Sequence, residues 1–280
     1  MSQPLEPQIF IHGSKLKKKA TADSSLAPLV KRYENWRAES LAINGRTESD
    51  VSALTDLLNE YKTSVESTLD ARPNSAQEVL QPSILEEFFE YLFCKISLEI
   101  GIEPLRRPAS GYIGLVFNPK SINSLLQAPE FTIRRKDHDF VIGAHLELAV
   151  SSKGGGAPTK DELVVPAIAI ECKRYLERNM LDECAGTAES IKRSTPYCKY
   201  IVVAEFLKMD DASPEASLID EIYLLRRQRN SARLAAGFVP NSIYSDLVWE
   251  IYQHCLAHLR KIWWDPQSGL QTGKMFNFPR

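Results

Sequence analysis

The sequence predicts an α/β fold, with a sheet of about five strands flanked by helices and helical regions at both ends of the chain. Two observations carry this. Runs dense in β-branched and aromatic residues, at 112–117, 131–142, 164–170 and 200–206, alternate with stretches of helical periodicity in the middle of the chain. Outside that middle, apolar residues recur at helical spacing only. Composition agrees: 280 residues, 44% hydrophobic and 25% charged, are those of an ordinary soluble protein with an ample core.

Composition also excludes several classes. No run approaches the ~18 apolar residues of a membrane helix, and the polar start Met1-Ser2-Gln3-Pro4 does not read as a signal peptide. The five cysteines lack C-x-x-C spacing, which argues against a disulfide framework or a zinc site and suits a reducing cytoplasm. With 34 basic and 36 acidic residues the net charge is −2, so a nucleic-acid partner requires basic residues gathered on one face.

Taken in order, Lys15-Leu16-Lys17-Lys18-Lys19 reads as a solvated basic tail, with electrostatic contact to phosphates as the alternative. Helices are expected over residues 23–43, with Leu26, Leu29, Val30, Tyr33 and Trp36 as the stripe, and over 49–69, with Ser49 as the cap. A turn at Asn44-Gly45 separates them, and residues 71–76 read as a linker. Residues 1–76 would then form a helical N-terminal region, hinged to a core at 77–236. Pro82 and Ser83 open a helix that ends before Gly101 and carries Leu85, Phe88, Phe89, Leu92, Phe93 and Ile96 inward. Its Glu86, Glu87 and Glu90 suit the positive end of the helix dipole. Residues 104–108 form a rigid basic loop with Arg106 and Arg107.

Residues 146–150 look like one side of a hairpin, with Gly154-Gly155-Gly156 at its tip. That glycine run fits neither G-x-G-x-x-G nor a P-loop, so no nucleotide cofactor is expected. A helix follows over 176–191 and stops at Pro196; residues 218–225 read as another strand or a helix start. The window from Arg226 to Arg233 is the most basic in the chain, and Arg226, Arg227 and Arg229 are candidates for phosphate contact. In the last region, 237–280, Asn241 caps a helix reaching about residue 264, and Trp263-Trp264 would cover the core or another subunit. His254 and His258 stand at i,i+4 without a third ligand and read as helix surface.

The chemistry gathers at Glu171-Cys172-Lys173, which closes the apolar run at 164–170. Alternation along a strand puts Glu171 and Lys173 on one side. A charged pair at the end of a buried strand costs desolvation, which is tolerated where the charges bind something. A salt-bridged strand end is the competing reading. Upstream, Asp139 stands immediately before Phe140-Val141-Ile142, and the basic cluster Arg134-Arg135-Lys136 precedes it. Two basic clusters flanking one carboxylate edge suit a polyanionic substrate.

An acid on one strand followed by Glu-x-Lys on the next resembles the PD-(D/E)XK nuclease superfamily, with His138 standing where proline is frequent. The stretch from Glu171 to Asp182, with the helix and strand after it, is similar to type II restriction endonucleases. The nearest likeness is to the CCGG-cutting group of BsaWI, and next to Bpu10I-like enzymes, over residues 83–233. The resemblance implies a mixed sheet of the restriction-endonuclease kind. It implies that Asp139 and Glu171 hold Mg²⁺, with the Cys172 carbonyl and Glu86 (or Glu90, one turn on) as further ligands, and that Lys173 completes the catalytic set. It places Arg174, Glu177, Arg178 and Asn179 beside double-stranded DNA, where an arginine donates to guanine and an acid accepts from cytosine. Cutting a palindrome containing CCGG would take a homodimer, or a tetramer. The alternatives are a DNA-binding module with a decayed site and a non-specific Mg²⁺-dependent nuclease.

Overall fold

Two long runs rich in β-branched residues, 131–150 and 159–176, pair with each other and make the middle of the sheet. The computed structural model describes residues 10–44, 46–70, 80–127, 129–155, 157–230, 238–261 and 265–273. In chain order its helices and strands are α1 (Ile11–Ala20), α2 (Ala27–Ala42), α3 (Glu48–Asp70), α4 (Leu80–Phe93), α5 (Ile96–Ile100), β1 (Leu105–Phe117), α6 (Ile122–Gln127), β2 (Phe131–Val150), β3 (Thr159–Leu176), α7 (Arg178–Ser194), β4 (Lys199–Leu207), β5 (Glu221–Arg229), α8 (Ser245–Arg260) and α9 (Pro266–Thr272). The five strands stand in the order β1-β2-β3-β4-β5. The first three pair antiparallel and the last three parallel, so the sheet is mixed, as expected. The parallel step from β3 to β4 needs a crossover, and α7 provides it.

Several local expectations change. Thr47 and Asp50, not Ser49, cap α3: each backbone N–H is received by the other's side chain, at 2.9 and 3.3 Å, a reciprocal capping box. Likewise Asn241 does not cap α8, whose N-cap is Tyr244; the Asn241 amide donates to the Arg226 carbonyl instead. The first strand begins at Leu105, so the expected basic loop is sheet. Residues 146–150 continue β2 without a break and pair with the start of β3 as a two-stranded arm. β3 in turn runs three residues past Lys173, to Leu176. His254 and His258 are half-buried against β5 and its surroundings rather than exposed, and the Tyr223 hydroxyl lies 3.3 Å from His254 Nδ1. The linker at 71–76, residues 231–233 of the basic window and Trp263-Trp264 lie outside the described residues.

The largest change is at the N-terminus. The lysine run is the second half of α1, not a solvated tail, because His12, Gly13 and Leu16 of the same helix are buried. One apolar cluster extends from Leu16, Trp36 and Leu58 through Phe89 and Phe93 to Phe140, Ile170, Ile201 and Tyr252, so helices of the first 76 residues share a core with the sheet. A second cluster lies under α7, built on Ala169, Leu181, Ala188, Tyr200 and Val202. Among the described residues no helix is long and apolar enough to cross a membrane.

Between α3 and the sheet lies a buried charge network. Pairing of β4 with β5 is irregular between Ala204 and Phe206, and Arg227 has a left-handed φ of 44°. A bulge re-aims the side chains beside it, and here Glu205 and Arg226 face each other, Nε to Oε2 at 2.8 Å. Lys62 of α3 approaches Glu205 at 2.8 Å as an ion pair rather than an aligned hydrogen bond. Glu66 closes the set at 2.9 Å from Arg226 and 3.3 Å from Lys62. Burial alone would push the Glu205 carboxyl up, but Lys62 and Arg226 outweigh it and hold it below the ordinary range. A group so lowered contributes stability above its unfolded value and loses it as pH falls through the folded one. Glu205→Gln should therefore cost about 3–5 kcal/mol at neutral pH, since it leaves two buried cations under-compensated. In urea titrations the gap to wild type should close as pH drops below about 4. A gap that stays constant down to pH 3 would show that Glu205 acts through packing and not through its charge.

Candidate active site

The β2–β3 register pairs Phe140 with Ile170, so Asp139 and Glu171 come next in line on neighbouring strands. Cys172 donates its backbone N–H to Asp139 Oδ2 at 2.7 Å, which fixes that carboxylate at the strand end. As alternation requires, Glu171 and Lys173 share a face, and Lys173 Nζ donates to Glu171 Oε1 at 2.6 Å. From below, α4 adds Glu86, which is 7% exposed. Glu86, Asp139 and Glu171 line one cavity of about 490 Å³, whose other walls include Lys15, Pro108, Arg135 and Lys136. Glu90 is fully buried and does not line it. Asp137 does line it, but its side chain accepts from Ser110 on the exposed side.

The electrostatics are those of carboxylates short of positive charge. Burial raises the Asp139 carboxyl to about 6, and Glu86 adds to the rise while the Cys172 N–H, Lys173 and Lys15 oppose it. Burial likewise raises Glu171, with Asp139 adding, and Lys173 pulls the other way. Glu86 rises through burial too, opposed first by Lys15. For Lys173, burial favours the neutral amine, yet Glu171 and Asp139 outweigh it and keep the ammonium charged. Beside them His138, where the resembled family often has proline, is lowered by burial to about 4 and is neutral. Its ring sits over Gly111, where an added Cβ would come within 3.0 Å.

Whether these residues suit a metal follows from the donors. All are hard oxygens, each destabilised by burial and by a neighbouring carboxylate, which a divalent cation relieves. Among the described residues no three His, Cys, Asp or Glu groups stand close enough to close a metal site alone. Mg²⁺ needs no such cage, because it keeps waters and is held by one or two carboxylates. Asp139 and Glu171 fit that requirement.

The remaining expected residues scatter. Arg174 lies on β3, not on the helix; it faces away from Lys173 and grips Asp70 with two hydrogen bonds of 2.6 and 2.8 Å. Arg106 is 2% exposed and paired with Glu103, since its place in β1 opposite Ile142 turns it inward. Arg226 belongs to the interior network described above. All three guanidinium groups are largely buried and paired within the protein. Glu177 is the N-cap residue of α7 and pairs with Lys208 at 2.7 Å, while Asn179 bonds the next backbone N–H. Arg178 is exposed and paired with Asp211 at 3.0 Å. Arg227 and Arg229 are exposed, paired with Asp246 and Asp210. Arg107 is partly exposed and lines a shallow cavity that shares Pro108 and Arg135 with the carboxylate cavity. Lys15 also lines the cavity; the sequence marked it only as one member of the basic run 15–19, and the spacing of His12, Leu16 and Ala20 across that run is the sign that it belongs to a packed helix.

A mixed sheet that carries an acid and a Glu-x-Lys at one end of two adjacent strands, with an acid from a preceding helix, has the architecture of a restriction endonuclease. Comparison with solved structures agrees: the structure described as the native BbvCI A2B2 tetramer at low resolution superposes with a TM-score of 0.70. The match covers 91% of this chain and 98% of that one at 21% identity, a likeness of fold. The sequence model of the Bpu10I restriction endonuclease matches residues 77–240, more than half of the chain, and the chain belongs to that family of site-specific DNA endonucleases. No match was found among curated proteins. Of the two resemblances expected, the match is with the second, and CCGG finds no support in it.

Arg174→Ala tests the new placement. Losing two charge-assisted bonds to Asp70 should lower the free energy of unfolding by about 2 kcal/mol, with affinity for duplex DNA unchanged. A large loss of affinity at unchanged stability would return Arg174 to the DNA interface.

Proposed function

We propose that this chain is a type II restriction endonuclease that hydrolyses phosphodiesters of double-stranded DNA at a short specific site, with Mg²⁺ as cofactor. The observation that carries the reading is the meeting of Asp139 and Glu171 on adjacent strands with Lys173 bonded to Glu171. Asp139 and Glu171 would hold the ion, with the Cys172 carbonyl as a further donor, and Glu86 of the same cavity would join them only by moving its side chain toward them. Bound there, Mg²⁺ supplies Lewis-acid activation of water and neutralises charge developing on the phosphate. Lys173, kept as an ammonium, serves as a donor: it orients the attacking water or meets the phosphoryl oxygen as its charge grows. The Cys172 N–H holds Asp139 in one orientation, so the carboxylates need not reorganise when substrate arrives.

Base reading is assigned to Arg178 with Glu177, at the start of α7 just beyond the site, and a G·C-rich target such as CCGG is the sequence this pair suits. The pair is at present engaged elsewhere, with Asp211 and Lys208, and both partners are surface residues that DNA can displace. Arg107, Arg227 and Arg229 remain for phosphate contact.

Wild-type protein with plasmid DNA and Mg²⁺ should give discrete fragments, whose sequenced ends read the site. Asp139→Asn, Glu171→Gln and Lys173→Met should each lower cleavage by at least about a hundredfold while retaining DNA binding. Smearing would mean a non-specific nuclease, and a salt-sensitive gel shift without cutting a binding module. Full cutting by any of the three variants would remove that residue from the site.

Double-strand cleavage needs two active sites, and a homodimer related by a two-fold axis is the simplest arrangement. A second reading is favoured by the A2B2 composition of the similar BbvCI structure: assembly with a different chain carrying the second site. Sedimentation with the cognate duplex should show at least two copies of this chain. Protein that only nicks DNA by itself and cuts both strands once a different chain is added would support the second reading.

A further inference from the structure

Lys15 has a place that the segment shared with the family does not account for, since that segment begins at residue 77. Its ammonium lies 3.0 Å from Glu86 Oε2 and lines the same cavity as Asp139 and Glu171. The Lys15 side chain is 33% exposed and that of Glu86 only 9%, so the lysine stands on the open side of the pair. Its helix has little freedom. The buried His12 ring bonds Ser83 at 2.9 Å through Nδ1 and Tyr61 at 2.7 Å through Nε2. The Gly13 N–H donates to Glu87 Oε2 at 2.9 Å, and any Cβ at residue 13 would come within 2.1 Å of the Tyr33 ring. These buried contacts hold α1 against α4 one residue after another, immediately before Lys15.

That side chain has an anion to meet. Lys173 is taken up by Glu171, Lys136 by Glu183 and Arg135 by Asp161, each within 3.3 Å. A phosphodiester entering the cavity must pass the four carboxylates that line it, and a lysine at its mouth offsets their repulsion. An ammonium has three donors, and among the described residues the hydrogen bond of Lys15 is to Glu86 alone.

We propose that Lys15 is a phosphate-binding residue of this site, delivered by the N-terminal helix to a backbone phosphate of the strand being cut. The inference rests on the endonuclease reading. It makes α1 part of the substrate site as well as of the core.

The experiment is anisotropy with a labelled duplex containing the cleavage site, in EDTA, between 50 and 200 mM salt. Lys15→Met should bind about tenfold more weakly at the low-salt end, and its log–log salt slope should be shallower by about 1, the change expected when one phosphate is no longer neutralised. Lys15→Arg should keep the wild-type slope. Lys18→Met, an exposed change on the same helix, should leave slope and affinity unchanged. The double variant Lys15→Met/Glu86→Gln leaves no unpaired buried acid, which keeps the test open if Lys15→Met alone unfolds; it should keep the shallow slope. An unchanged slope in Lys15→Met, recovery of wild-type binding in the double variant, or an equal loss in Lys18→Met would each overturn the proposal. Wild-type protein that neither binds nor cuts duplex DNA would bring down the endonuclease reading itself, and this inference with it.

Discussion

Everything at the site depends on the register of β2 against β3. Phe140 opposite Ile170 buries two apolar side chains on the helix-packed face and thereby brings Asp139 level with Glu171. A slip of one residue would exchange the two faces of a strand, taking Phe140 and Ile142 off the face that the α4 cluster packs and Asp139 away from its place beside Glu171. The apolar cluster thus enforces the position of the carboxylates with far more free energy than the carboxylates could supply for themselves.

The carboxylates in turn are held at a cost. Of the four acids that line the cavity, Glu86, Asp139 and Glu171 are driven upward by burial, and two lysines far apart in the chain, Lys15 and Lys173, oppose the rise. The arrangement is partly neutralised and not relaxed, which is what a cation site needs before its ion arrives. Structural ion pairs in the same molecule look different. Around Glu205 two cations and two acids match in number, and the Glu205 carboxyl sits below its ordinary value. The contrast in the direction of these shifts separates a set of charges that satisfy one another from a set that lacks a partner.

The arginines follow the same logic. A basic window in sequence says how much charge is present, whereas the sheet decides which way each side chain faces. Arg226 and Arg227 are neighbours, yet the bulge at β4–β5 sends the first into the core and leaves the second at the surface, over the Tyr244 ring. Arg106 and Arg107 divide in the same way at the start of β1. Alternation also separates Arg174 from Lys173, because β3 continues through both.

Local patterns in the sequence were enough to show the α/β alternation, the strand pairs around 140 and 170, the amphipathic α4 and the Glu-x-Lys tip, because period-2 and period-3.6 hydrophobicity are properties of consecutive residues. They also distinguish Asp139 from Asp137, since only one directly precedes the apolar Phe-Val-Ile run, and the strand register sets Asp139 level with Glu171. Other features are decided by groups far apart in the chain. The lysine run at 15–19 looks like a tail until His12 finds Ser83 and Tyr61, 71 and 49 residues away. Arg174 reads as a DNA ligand until Asp70, 104 residues earlier, is brought beside it. A charged side chain is placed by whichever opposite charge or solvent reaches it with the least desolvation, and that competition is settled only once the core has closed.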